Sequence, residues 1–175
     1  KGRQIGVQFA PAEGESQLVR FLSSGFFFHL LSPYPGFETF SHQLGAAFDA
    51  YVSWVERRTQ ARFRQVGLRN INLFRLADLP VAISWYDLLR DFPGSCEAKD
   101  ITGFTAEKAQ TVACEALGVC EASIASIFVR DKETEAPSVI LDLSIASPGT
   151  LDVDASQAIA LLPALRPIKN TLFWE

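Results

Sequence analysis

The amino-acid sequence predicts an α+β protein in which a mainly antiparallel sheet is packed on one face by a long amphipathic helix and a C-terminal helix. Three observations carry this prediction. Residues Gln4 to Phe9 alternate apolar and polar side chains, the period-2 pattern of a half-buried strand. Residues 37–61 switch to apolar positions three and four apart, the pattern of a surface helix. Two apolar runs, Ala122 to Val129 and Val139 to Ala146, then sit close enough in sequence to pair before a final helical stripe. A sheet with one apolar face is stable only when that face is covered, and the two helices supply the cover. The 175 residues, 48% of them hydrophobic, suffice for one domain over 1–175 that buries roughly 70% of its unfolded surface.

The elements follow in order. Ile5, Val7 and Phe9 define the first strand, and the polar, turn-rich run Ala10 to Ser16 ends it. Leu18 to Leu22 and Phe26 to Leu31 flank Ser23-Ser24-Gly25 and predict a β-hairpin, with Gly25 expected to supply a positive φ in the turn. Ser32-Pro33-Tyr34-Pro35-Gly36 breaks the strand, because proline lacks an N–H and biases the preceding residue away from helix. The helix that follows buries Phe40, Leu44, Phe48, Tyr51, Val52 and Val55. Arg57, Arg58 and Arg62 then favour the negative end of its dipole.

Arg62 to Leu76 reads as a strand in which Gly67 marks a bulge or a close backbone approach. Ala77 to Pro80 turns the chain, and Ser84 to Arg90 predicts a short helix ended by Pro93-Gly94. Between Ser95 and Gly118 both states stay open: Thr105-Ala106-Glu107-Lys108 suits a helix start, while the β-branched residues suit strands. The charged loop from Arg130 to Pro137 joins the second antiparallel pair. Asp154 caps a last helix with an apolar face of Ala158, Leu161, Leu162, Leu165 and Ile168, which Pro163 and Pro167 are expected to kink or divide.

Composition narrows the function. Sixteen basic and 20 acidic residues give a net charge of −4, without the basic footprint of a nucleic-acid binder. The longest apolar runs fall far below the ~20 residues of a membrane-spanning helix. Cys96, Cys114 and Cys120 are odd in number and form no C-x-x-C pair, which predicts a reducing, cytoplasmic setting rather than a disulfide framework. His29 and His42 lie far from these cysteines, so no metal site and no cofactor is expected.

Phe26-Phe27-Phe28, Pro33-Tyr34-Pro35-Gly36-Phe37-Glu38, Gly67-Leu68-Arg69-Asn70-Ile71-Asn72, Ile140-Leu141-Asp142-Leu143 and Ile168-Lys169-Asn170-Thr171-Leu172-Phe173 follow one another in a distinctive order. They resemble an uncharacterised, sporadically distributed prokaryotic family in which a PYPGWE element precedes a long helix, a GLRYINR strand follows it, an LDID strand comes late and a KN..F helix closes the domain. Phe37, Asn70, Leu73 and Ser144 depart from that pattern, standing where the family carries tryptophan, tyrosine, arginine and a second acid. The resemblance implies the α+β fold, a cytoplasmic setting and a further strand and helix ahead of the region seen here. It implies no catalytic residue, and the loss of the tyrosine and arginine weakens general-acid chemistry on this strand.

The candidate site residues are Arg69, Asn70, Asn72, Asp142, Lys169, Asn170 and Tyr34. Strand alternation points Asn70 and Asn72 to one face and Arg69 to the other. Arg69 has a structural reading as the partner of an acid such as Asp142, and removing one member of such a pair costs ~3–5 kcal/mol if it is buried. Lys169 and Asn170 lie near the end of the last helix, where a cation suits the dipole. Tyr34 and Trp54 suit either a core edge or a partner surface. His29 has no acid placed to activate it, and no nucleophile and base are legible together.

Two functional classes follow. The expected one is a non-catalytic protein-interaction or regulatory domain, in a bacterial stress, toxin–antitoxin or defence setting, whose sheet engages a protein partner or a second copy as a homodimer. The alternative is a small-ligand-binding or enzymatic domain with a polar pocket near Arg69, Asn70 and Asn72.

Overall fold

A computed structural model of the chain describes residues 6–9, 17–30, 36–57, 59–75, 78, 104–130 and 136–174. The fold is α+β, with antiparallel sheets of three and four strands and one long helix on each. The chain separates into two compact units, Lys1–Arg62 and Phe63–Glu175. Tyr34, the turn expected over Ala77–Pro80 apart from Asp78, the short helix expected over Ser84–Arg90 and Cys96 fall outside the described residues.

In the first unit, β1 (Gly6–Phe9), β2 (Gln17–Leu22) and β3 (Gly25–Leu30) form an antiparallel meander. Ser23 and Ser24 alone make the β2–β3 turn, because Leu22 already pairs with Gly25. Gly25 is therefore a strand residue, and the positive φ expected of it is absent. The glycine that does need one is Gly36, whose φ of 101° and ψ of 163° open α1 (Phe37–Glu56) in a region closed to residues with a Cβ.

Helix α1 covers the meander with aromatic rings. Tyr51 packs edge-on to Phe21 at 5.4 Å, Phe48 edge-on to Phe26 at 5.4 Å, and Phe40 edge-on to Phe28 at 5.7 Å. Burial raises the Tyr51 phenol above its usual pKa, and its hydroxyl donates to the Leu22 carbonyl at 3.2 Å. The helix stops at Glu56 rather than 61. Beyond Val55 the next positions of its apolar stripe are Arg58, Thr59 and Arg62, which offer nothing to bury. The arginines thus follow the helix instead of forming its last turn.

In the second unit the strand order is β4-β7-β6-β5, antiparallel throughout. The strands are β4 (Gly67–Arg75), β5 (Phe104–Cys114), β6 (Gly118–Arg130) and β7 (Pro137–Ala146). The segment left open between Ser95 and Gly118 resolves as strand from Phe104. Its hairpin with β6 closes through Leu117 N–H on the Cys114 carbonyl at 3.2 Å, a three-residue loop over 115–117 followed by the left-handed Gly118 at φ 75°.

Strand β4 starts at Gly67, five residues after the expected start, because the preceding residues bind a different segment. Val66 N–H donates to Ser147 Oγ at 3.0 Å, Leu151 N–H to the Arg64 carbonyl at 3.0 Å, and Phe63 bridges Val153. Gly67 is a point of close approach: a Cβ there would lie 3.0 Å from the Ile145 carbonyl oxygen.

That segment delivers the chain to α2 (Ala155–Trp174). Asp154 caps it as expected, and Gln157 completes a reciprocal box: Gln157 N–H donates to Asp154 Oδ1 at 2.9 Å and Asp154 N–H to Gln157 Oε1 at 3.0 Å. The helix is undivided by its prolines. Pro163 and Pro167 are four apart on its exposed side, where water can reach the carbonyls they leave without a donor. On the other side Leu165, fully buried, packs with Cys114, Leu117, Cys120 and Ile145 in the core.

Candidate functional site

Pairing registers sort the four strands into two faces, since directly opposed residues in an antiparallel ladder point the same way. Leu68, Ile145 and Cys120 belong to the face that α2 covers. The opposite face carries the alternate set: Arg69, Ile71, Leu73 and Arg75 on β4, with Ile140, Asp142 and Ser144 on β7. It continues with Glu121, Ser123, Ala125 and Ile127 on β6 and Thr105, Glu107, Ala109 and Thr111 on β5.

This second face is open. Ile71 is 60% exposed, Leu73 55% and Val119 57%, although all three are large apolar residues on regular strands. Bulky side chains crowd the β4 side, while Ala109, Thr111, Ser123, Ser144 and Ala146 leave a shallow depression of about 530 Å³ toward β5. Charge is divided in the same direction, with Arg69 and Arg75 on the β4 edge and Glu107 and Glu121 on β5 and β6.

Two pairs of polar groups on the face bind each other. Arg69 Nε donates to Asp142 Oδ1 at 2.8 Å and Nη2 to Oδ2 at 2.5 Å, a bidentate fork between β4 and β7. This hydrogen bond to Asp142 outweighs partial burial and raises the Arg69 pKa, with the attraction of the Asp142 charge adding to it. Ser123 and Ser144 share a hydrogen bond of 2.8 Å across β6 and β7. Groups paired in this way lose little when water is excluded from them, whereas an unmatched group would lose on the order of 1–3 kcal/mol.

The sequence-derived candidates do not gather at one place. Arg69 and Asp142 meet on the open face, while Asn70 and Asn72 lie half-buried on the α2 side, opposite Leu143 and Leu141. The Asn72 amide nitrogen is buried and has no acceptor among the described residues. Lys169 and Asn170 are on α2, which packs against that same covered side, with Lys169 half-buried and Asn170 exposed. Burial, aided by the nearby Arg166 charge, lowers the Lys169 pKa. Cys114 and Cys120 are free thiols in the core, and burial pushes the Cys120 thiol up, reinforced by Cys114.

Ile71 and Leu73 escape a reading that looks for polar chemistry, yet the strand carries their signal. In Gly67 to Arg75 neither alternation is purely apolar, so carboxamides at 70 and 72 on one face force apolar 71 and 73 onto the other. Among the described residues, no group of three or more His, Cys, Asp or Glu is placed to hold a metal ion, and no helix is long and apolar enough to cross a membrane. No family model matches this chain, nor does any curated protein or solved structure.

Proposed function

We propose that this chain is a non-catalytic protein-interaction domain whose working surface is the open face of the β4-β7-β6-β5 sheet. The observation that carries the reading is the exposure of Ile71, Leu73 and Val119 on strands otherwise built as in any packed sheet. Large apolar side chains held on a rigid, regular scaffold gain by being covered, at roughly 25 cal/mol per Å² of apolar surface. The Arg69–Asp142 and Ser123–Ser144 pairs support it, because these four groups keep their hydrogen bonds when a protein partner excludes water.

A polar ligand pocket formed by Arg69, Asn70 and Asn72 has less support, since the sheet itself separates Arg69 from the two carboxamides. The test uses the purified chain as bait in its native lysate, with Ile71→Lys/Leu73→Lys as the matched control and the solution mass measured alongside. Self-association or a stoichiometric protein partner, lost in the control, is the expected result. A monomer that retains no protein contradicts the proposal.

A further inference from the structure

We infer that β4 pairs edge to edge with β4 of a second copy of this chain, antiparallel about a two-fold axis that passes through Ile71 perpendicular to the sheet. Two four-stranded sheets then join into one of eight strands. The inference goes beyond the open face as a partner surface, because the contact is made by the edge of a strand.

Strand β4 is an edge of its sheet, and among the described residues its ladder partner is β7 alone. Edge strands are commonly guarded against pairing by a bulge, a proline or a charge. The nine residues of β4 pair consecutively with β7, without a bulge, and include no proline. Arg69, the charge nearest the middle, reaches away from the edge to Asp142 on β7. Asn70 to Leu73 are uncharged. The opposite edge, β5, is guarded instead by Glu107 and Lys108, both exposed at mid-strand.

Symmetry and side-chain chemistry select the register. Directly opposed residues in an antiparallel ladder share a face, so this two-fold pairs odd-numbered residues of β4 with odd and even with even. Ile71 is the middle residue of the strand, and a centre there engages its whole length. It sets Ile71 on Ile71 and, twice over, Asn70 against Asn72 and Leu68 against Phe74 of the second copy. Carboxamides meet carboxamides, and half-buried apolar residues meet each other. A centre at Asn72 opposes Arg69 to Arg75 and Asn70 to Phe74, while a centre at Asn70 opposes Asn72 to Leu68.

Asn72 adds an independent observation. Its amide nitrogen is buried with no acceptor among the described residues, although the residue as a whole is only half-buried. The χ2 torsion of asparagine is soft, and a turn about it presents the nitrogen at the edge. There Asn70 of the second copy stands opposite, with Cβ atoms ~4.5–5.5 Å apart. The pairing also gathers Ile71 and Leu73 of both copies around the axis, which covers part of the apolar surface that β4 exposes.

The experiment joins association to geometry. Sedimentation of the wild-type chain over a wide concentration range is expected to show a monomer–dimer equilibrium. Ile71→Lys, which sets two lysines on the axis, is expected to weaken it at least tenfold, and melting curves establish that the variant folds. In a Cys96→Ser background, Ile71→Cys equilibrated with oxidised glutathione is expected to form a disulfide between the copies. Leu73→Cys is not, because its two copies lie four residues apart along the ladder, about 14 Å. Nitroxide labels on Glu107→Cys, near the far edges of the joined sheet, are expected about 34 Å apart, or seven strand spacings of ~4.8 Å.

A dimer that cross-links through position 73 but not 71, or whose labels at 107 lie close together, overturns the edge pairing. A wild-type monomer at every concentration overturns the second copy. If that monomer retains a lysate protein that depends on Ile71, the open face stands as a partner surface, and if it retains none, both readings fall.

Discussion

Arg69 and Asp142 tie the edge strand β4 to β7 through a two-point fork, although the two residues do not face each other in the register: Asp142 is opposite Ile71 and Arg69 is opposite Ser144. The guanidinium reaches diagonally along the open face. Its side chain is 61% exposed and the carboxylate 16%, so solvent screens the pair and the large cost attached to a buried ion pair does not apply. A double-mutant cycle with Arg69→Ala and Asp142→Ala is expected to give a coupling of about 0.5–1 kcal/mol in urea unfolding. A coupling above ~3 kcal/mol would place the pair in a buried setting.

Leu165 is the pivot of the α2 core and is fully buried. Its replacement by alanine removes three carbons from a site walled by Cys120, Leu117 and Ile145, which leaves a cavity. Leu165→Ala is expected to destabilise the second unit by ~2–5 kcal/mol, read from the shift of its unfolding midpoint.

The reciprocal bonds between Asp154 and Gln157 fix where α2 begins. Asp154→Ala leaves the Gln157 N–H without its acceptor and is expected to cost ~0.5–2 kcal/mol. Asp154→Asn keeps an acceptor oxygen and is expected to recover most of the loss in the same thermal melts.

Lys169 gives a pH dependence of definite sign. Burial, with Arg166 adding, lowers its folded-state pKa below the ordinary 10.5, so the folded protein holds this proton less tightly than the unfolded chain does. At neutral pH the charged amine therefore opposes folding. That opposition is relieved as pH rises through the lowered value toward 10.5, because the unfolded state then binds more protons. Lys169→Met keeps the apolar stem and is expected to be more stable than wild type at pH 7. The gap is expected to close above pH 10.5; a gap that widens there contradicts the assignment.

Much of this architecture is legible in the sequence, for reasons that differ along the chain. The pair β6–β7, helix α1 and the Asp154 cap declare themselves through uninterrupted periodicity and local capping chemistry. Strand β5 does not, because Thr105 to Lys108 carries side chains that suit a helix start equally well, and only pairing with β6 decides between them. The link between Arg69 and Asp142 is readable as a charge match and acquires its diagonal geometry from the register. The open face is the least legible feature: Ile71 and Leu73 look like core residues until the sheet order shows that α2 covers the other side. Apolar character alone does not say which face of a strand a second layer will occupy.

Sedimentation of the wild-type chain beside Ile71→Lys/Leu73→Lys, with lysate capture run on the same preparations, tests the interaction surface most directly. A mass above the 19.3 kDa of one chain, or a protein partner retained in fixed proportion, is expected, with either one abolished by the two lysines while the melting curve is preserved. A wild-type chain that stays at 19.3 kDa at every concentration and retains no protein would contradict it.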